Sequence, residues 1–175
     1  MSETSNEINL GGCILMCKEL EKAINLRKEG KQKESNEMLL KLAKVSPADA
    51  LINYQCAWSF DVLGKESEAV PFYEKAIELG LSGKDLEGAL LGLGSTYRTL
   101  GEYKKSKNVF LKGMNLFPEN RAIQVFYSMT LYNLKEYHNA MELLLKSLVD
   151  TTADKEILSY KDAIKFYADK LDQIW

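Results

Sequence analysis

Apolar positions recur along this chain in steps of three and four, and the runs are interrupted by short turns. Gly30, Gly64 and Gly101 mark three turns, at spacings of 34 and 37 residues, and one further step of 34 reaches Lys135. Other columns keep the same register. Large residues precede each turn (Leu26, Phe60, Tyr97, Leu131), and three positions before them stand small ones (Ala23, Ala57, Gly94, Ser128). After each turn come Ser35, Ala69, Ser106 and Ala140, then the large Leu39, Tyr73, Phe110 and Leu144, then Leu42, Ala76, Gly113 and Ser147. Steps of three and four specify an amphipathic helix, and a fixed period near 34 specifies a helical repeat. Small residues recur where two helix axes approach, and large ones fill the space beside them. The pattern predicts four helix–turn–helix units, at 16–49, 50–83, 87–120 and 121–154, with residues 84–86 inserted in a link.

Three local features test this reading. The stretch GALLGLGSTYRTLG (88–101) carries four glycines. A phosphate loop needs a preceding strand and a closing Gly-Lys-Ser/Thr, and neither is here. Gly94 falls instead in the small column inside a helix, and Gly101 at a left-handed cap. Pro71 sits early in the second helix of unit two, so a start capped by Ser67 or a slight kink is expected there. The ends differ from each other. Residues 1–13 are expected to be disordered or loosely ordered, with the first helix beginning near Ile14. In 155–175, Ile157, Tyr160, Ile164, Tyr167, Leu171 and Ile174 form one apolar stripe, which predicts a C-terminal amphipathic helix covering the last unit or docking on another chain.

The columns resemble the tetratricopeptide repeat (TPR). The third unit supplies Leu93, Gly94, Tyr97, Gly101, Tyr103, Phe110 and Pro118 at that pattern's places, and the second supplies Ala57, Phe60, Gly64, Ala69, Tyr73 and Ala76. The fourth keeps Leu131, Tyr137 and Ala140, with Lys135 at the turn; the first is loosest, with Lys22 at an apolar place. The resemblance implies an all-α, right-handed α-solenoid of four TPR helical hairpins plus the C-terminal helix. The set is also similar to small stand-alone TPR proteins of Bacillus-type bacteria, which implies a cytoplasmic protein that forms a homodimer.

Composition narrows the function classes. A net charge of −2 argues against nucleic acid as the partner. The basic cluster Arg27, Lys28, Lys31 and Lys33 is interleaved with Glu29, Glu34 and Glu37, as on a solvated helix face. The polar start MSETSNEINL lacks the basic, apolar leader of an exported chain, so Leu10-Gly11-Gly12-Cys13 is not expected to be lipidated, and the thiols are expected to stay reduced in the cytoplasm. No apolar run reaches the length of a membrane span. Cys13 and Cys17 share a helix face without further ligands for zinc, His138 stands alone, and Cys56 falls in a buried column. No nucleophile is paired with a base, no cofactor is implied, and the chain reads as a non-enzyme.

In a TPR solenoid the first helix of each unit lines the concave face. The inward places put Leu20, Ile24 and Arg27 in unit one, Leu51, Tyr54 and Trp58 in unit two, Leu91 and Arg98 in unit three, and Val125, Met129, Tyr132 and Asn133 in unit four. The chaperone-binding members of the family clamp a peptide carboxylate with Lys and Asn at places that here hold Leu20, Ile24, Gln55, Gly88 and Gly92, so that function is not implied. An apolar floor of this kind receives a helix or peptide of a protein partner. Tyr54, Trp58, Leu91 and Met129 are the expected anchors, with Arg27, Arg98 and Asn133 orienting the guest. Two alternatives remain: a homodimeric scaffold that uses the groove or the C-terminal helix on itself, and a sensor of signalling peptides. Part of the stripe could also be inter-helix core.

Overall fold

In the computed structural model the backbone is described for residues 4–175 and the side chains from Leu15 onward. The expected looseness of 1–13, the lipobox-like Cys13 and its pairing with Cys17 therefore lie, in whole or in part, outside the described residues. The described chain is helical without strands: α1 Thr4–Lys28, α2 Gln32–Val45, α3 Ala50–Asp61, α4 Glu66–Glu78, α5 Gly83–Thr99, α6 Tyr103–Leu116, α7 Arg121–Asn133, α8 Tyr137–Thr151, α9 Lys155–Ser159 and α10 Lys161–Tyr167. The first eight form four helical hairpins, so the fold class read from the sequence is the one observed. Helix α1 begins at Thr4, ahead of the start near Ile14 that the sequence suggested. The chain divides into two compact units at Ala89/Leu90, and each is taken in turn.

One turn design serves all four hairpins. Gly30, Gly64 and Gly101 have φ of 81°, 66° and 77°, and Lys135 has φ of 64°. At each, the next amide reaches back five residues, from Lys31 to Leu26 O, Lys65 to Phe60 O, Glu102 to Tyr97 O and Glu136 to Leu131 O. This pairing satisfies the orphan carbonyls of a helix that ends on a left-handed residue. The helices that open units two and four start differently. There Asp49 and Asn120 accept hydrogen bonds from the Ile52 and Ile123 amides, at 2.9 Å each. Both caps follow a proline by two residues, which stops the previous helix and leaves the cap extended.

In the first unit, Ala23, Leu39, Leu42, Ile52 and Cys56 form the core, with Met16, Leu20, Met38 and Phe72 against it. Ser35 Oγ donates to Ala23 O at 2.7 Å where α1 and α2 cross. Asn36 Nδ2 donates to Ser59 Oγ, which donates on to Cys56 O, so these buried polar groups are paired. Helix α4 runs through Pro71 without a break and starts from Lys65, with no side-chain cap from Ser67. The left-handed turn has already oriented the chain there, so a capping side chain is dispensable.

The second unit repeats the crossing. Ser106 Oγ donates to Gly94 O at 2.7 Å and lies 2.8 Å from Thr130 Oγ1. With its single proton used on Gly94, Ser106 accepts from Thr130. Phe110, Ile123, Tyr127, Leu131 and Ala140 form the core, with Leu91, Met114 and Phe117 against it. Lys107 Nζ grips both Glu136 oxygens at 2.7 and 2.9 Å.

The C-terminal segment is helical in two pieces, not one. The chain bends at Tyr160 (φ −104°, ψ 11°), and a second helix, α10, ends at Tyr167. The bend directs Lys165 and Lys161 to Asp150 on α8, at 2.8 and 4.0 Å, where Arg121 also binds at 3.3 Å. The expected single stripe is split accordingly. Ile157, Tyr160, Ile164 and Tyr167 border one cavity, and Leu171 borders another, next to His138.

Two predictions follow from these contacts. Lysine in the left-handed region is strained by about 1 kcal/mol relative to glycine. Lys135→Gly is therefore expected to raise stability by about 0.5–1 kcal/mol in urea denaturation, whereas a loss would show that the lysine side chain contributes more than its strain. A Cβ on Gly94 would stand 2.6 Å from the Phe110 ring, which is fully buried. Overpacking there outweighs the helix-propensity gain of about 1 kcal/mol, so Gly94→Ala is expected to destabilise by about 1–2 kcal/mol.

Candidate protein-binding surfaces

The inward residues of the first unit are already engaged with one another. Arg27 Cζ lies 4.0 Å from the Trp58 ring centre, and its Nη2 donates to Gln55 Oε1 at 2.6 Å. Tyr54 stacks on Trp58 with centroids 6.0 Å apart and leans on Tyr73 at 6.2 Å. Tyr73 donates to Asp61 Oδ2 at 2.6 Å. Burial lowers the Arg27 guanidinium from its usual range, and the Tyr54 and Tyr73 hydroxyls act in the opposite direction. Burial raises the Tyr73 phenol, reinforced by the Asp61 charge. A Cβ on Gly88 would collide with the Tyr54 hydroxyl, so the glycine makes room for that ring. Tyr54 is buried, Trp58 is exposed on one face, and Ile24 and Leu51 are half-buried. Leu20 packs against the core cluster, as the inter-helix alternative had it.

The second unit leaves its inward residues open. Arg98, Met129, Tyr132 and Asn133 come together around a cavity of about 520 Å³. Its other wall is α8, through Tyr137, Met141 and Leu144. Tyr132 meets Tyr137 edge-on at 5.0 Å. Two of the polar groups lack partners: Arg98 Nε and Asn133 Oδ1 are buried without a hydrogen bond. No carboxylate pairs with Arg98 among the described residues. Val125 is half-buried, and Leu91 leans on the core.

The sequence reading missed the α8 wall. Leu144 shares a column with Leu39, Tyr73 and Phe110, which are 0–2 % exposed, yet Leu144 is 40 % exposed. The column assigned it to the core. The signal available was the run Tyr137, Met141, Leu144, spaced by four and three on one helix face.

Among the described residues no group of three His, Cys, Asp or Glu is placed to hold a metal ion, and no helix is long and apolar enough to cross a membrane. His138 Nδ1 lies 3.3 Å from Asp172 Oδ2, and Asp172 is exposed.

A family model described as Tetratrico peptide repeat matches residues 50–171. The chain belongs to the tetratricopeptide repeat family. Among curated proteins, Superkiller protein 3 of Saccharomyces cerevisiae is 28% identical over 96 residues, or 51% of this chain. The match spans 6% of that protein's length. Among solved structures, MamA (41-end) from Desulfovibrio magneticus RS-1 superposes with a TM-score of 0.70 at 14% identity, over 90% of this chain and 87% of that one. The pilF protein of Pseudomonas aeruginosa gives 0.68 at 16% identity, over 89% and 70%. At such identities the likeness concerns the TPR fold alone. TPR domains are generally protein-interaction modules without catalysis of their own, so protein partners are the coarse expectation for this one.

Burial of the TPR core is directly measurable. The Cys56 thiol is fully buried and pushed up to about 12, from an ordinary value near 9, while Cys17 is exposed. Iodoacetamide at pH 8, followed by peptide mapping, is expected to modify Cys17 and spare Cys56. Between about pH 9 and 12 the unfolded chain holds fewer protons at Cys56 than the folded one, so stability falls as pH rises through that window.

Proposed function

We propose that the protein is a non-catalytic cytoplasmic interaction module that receives an amphipathic helix of a protein partner in the second-unit cavity. The observation that carries this is an open, mostly apolar cavity walled by Met129, Tyr132, Tyr137, Met141 and Leu144, with Arg98 and Asn133 at its border. Its volume is that of an ordinary ligand pocket. Two methionines at its wall suit it to irregular apolar side chains. The first unit is a weaker candidate, because Gln55 and Trp58 already occupy Arg27.

The test is selection of a random 15-residue peptide library displayed on phage against the full chain. Enriched peptides are expected to carry apolar residues spaced by three and four. Met129→Glu should weaken them by more than tenfold with the circular dichroism spectrum unchanged, while Trp58→Ala leaves binding as it was. Absence of enrichment, or binding indifferent to both Met129→Glu and Tyr132→Glu, would sink the proposal.

A second reading, self-association, is favoured by a different surface. Leu145, Ile157, Tyr160, Ala163, Ile164 and Tyr167 border an apolar cavity of about 540 Å³ with Glu156 as its charged member. Tyr160 is 65 % exposed. Under this reading light scattering on dilution gives a dimer that Tyr160→Asp dissociates; a monomer at every concentration rules it out.

A further inference from the structure

The C-terminal face of the second unit carries a hollow and a protrusion side by side. We infer that each fits the other on a second copy of this chain: Trp175 of one copy seats in the α9–α10 cavity of the facing copy, whose own Trp175 seats in return. The inference deepens the self-association reading and rests on it.

The protrusion is built by the chain beyond α10. Two turns, from the Lys170 amide to Tyr167 O at 2.9 Å and from the Gln173 amide to Lys170 O at 3.0 Å, fold the segment back. Trp175 thereby lies against the Phe166 and Tyr167 rings, with centroids 5.9 and 6.5 Å apart. The ring is held in place, yet the residue stays 78 % exposed. Tyr167 also borders the cavity, so the two features share one face. Tyr160, Phe166 and Tyr167 are each about half exposed or more, and with Trp175 they present roughly 400 Å² of apolar surface. A contiguous patch of that size marks an interaction site.

The chemistry of the hollow selects the occupant. Its border is apolar apart from Glu156, whose carboxylate makes no ion pair or hydrogen bond among the described residues. Such a site suits a large apolar side chain with a single donor at its edge, which describes an indole. Lys170 stands beside the protrusion, its Nζ 4.6 Å from the Phe166 ring centre. Two of its three hydrogens go to Phe166 O and Asp169, and the third is free for Glu156 of a facing copy. A patch that holds both a knob and its hole is self-complementary, and such patches pair about a twofold axis with each contact made twice. A partner of another sequence would have to supply both features, whereas a second copy brings them by construction.

The experiment is light scattering of the full chain over a dilution series, with two variants and their mixture. Trp175→Ser removes the knob, and Ala163→Arg fills the hole that Ala163 borders. The wild-type chain is expected to be a dimer. Each variant alone is expected to raise the dissociation constant about tenfold or more. Circular dichroism should be unchanged, since both positions are exposed. An equimolar mixture is expected to form heterodimers, detected by native mass spectrometry, because Trp175 of the Ala163→Arg copy still meets an open hole on the Trp175→Ser copy. A dimer indifferent to either variant, or weakened by both and not regained on mixing, overturns the inference and leaves self-association standing. A wild-type monomer at every concentration removes both.

Discussion

The fold depends on the close crossing of two helices within each hairpin. In the first and third hairpins a serine hydroxyl on the second helix reaches a carbonyl on the first, from Ser35 to Ala23 and from Ser106 to Gly94, at 2.7 Å each, while in the second and fourth the small Ala69 and Ala140 stand at that place. That reach is possible only where the residue on the first helix is small, because a larger side chain would hold the axes apart. In the third hairpin the demand is strictest, since the Phe110 ring lies on the face of Gly94 itself. The spacing of the whole repeat follows from this close approach of small residues: a turn short enough to keep the helices in register, and a large residue one turn beyond the crossing to close the gap.

Those requirements are why the architecture was legible from the residues. The crossing selects small residues, the turn selects glycine, and both leave marks at a fixed period that survive the loss of any single one. Lys135 shows this, since the fourth turn has the glycine geometry without the glycine. Less legible were features set by tertiary partners. The bend at Tyr160 answers to Asp150 on another helix, and an unbroken apolar stripe cannot reveal it. Ser67 looked like a cap, but the preceding left-handed turn had already set the helix start.

The candidate site was partly legible for the same reason. Arg98, Met129, Tyr132 and Asn133 could be placed on one helical face by spacing alone, and they do meet around one cavity. The periodicity could not say which polar groups would find partners. Arg27 and Arg98 are alike in position, yet the first is bound by Gln55 and Trp58 and the second is left with an unbonded Nε. That difference lies in what surrounds each residue, and a column aligned by period treats both as the same.

Leu144 carries a consequence for how such a chain diverges. Its three column-mates are held in place by the core, and a substitution at any of them is read first as a change in folding. Leu144, half in solvent at the cavity wall, is released from that veto. Variation at this position passes through the folded state nearly unopposed and is felt by whatever occupies the cavity. Selection on binding can therefore act there without first having to preserve the scaffold.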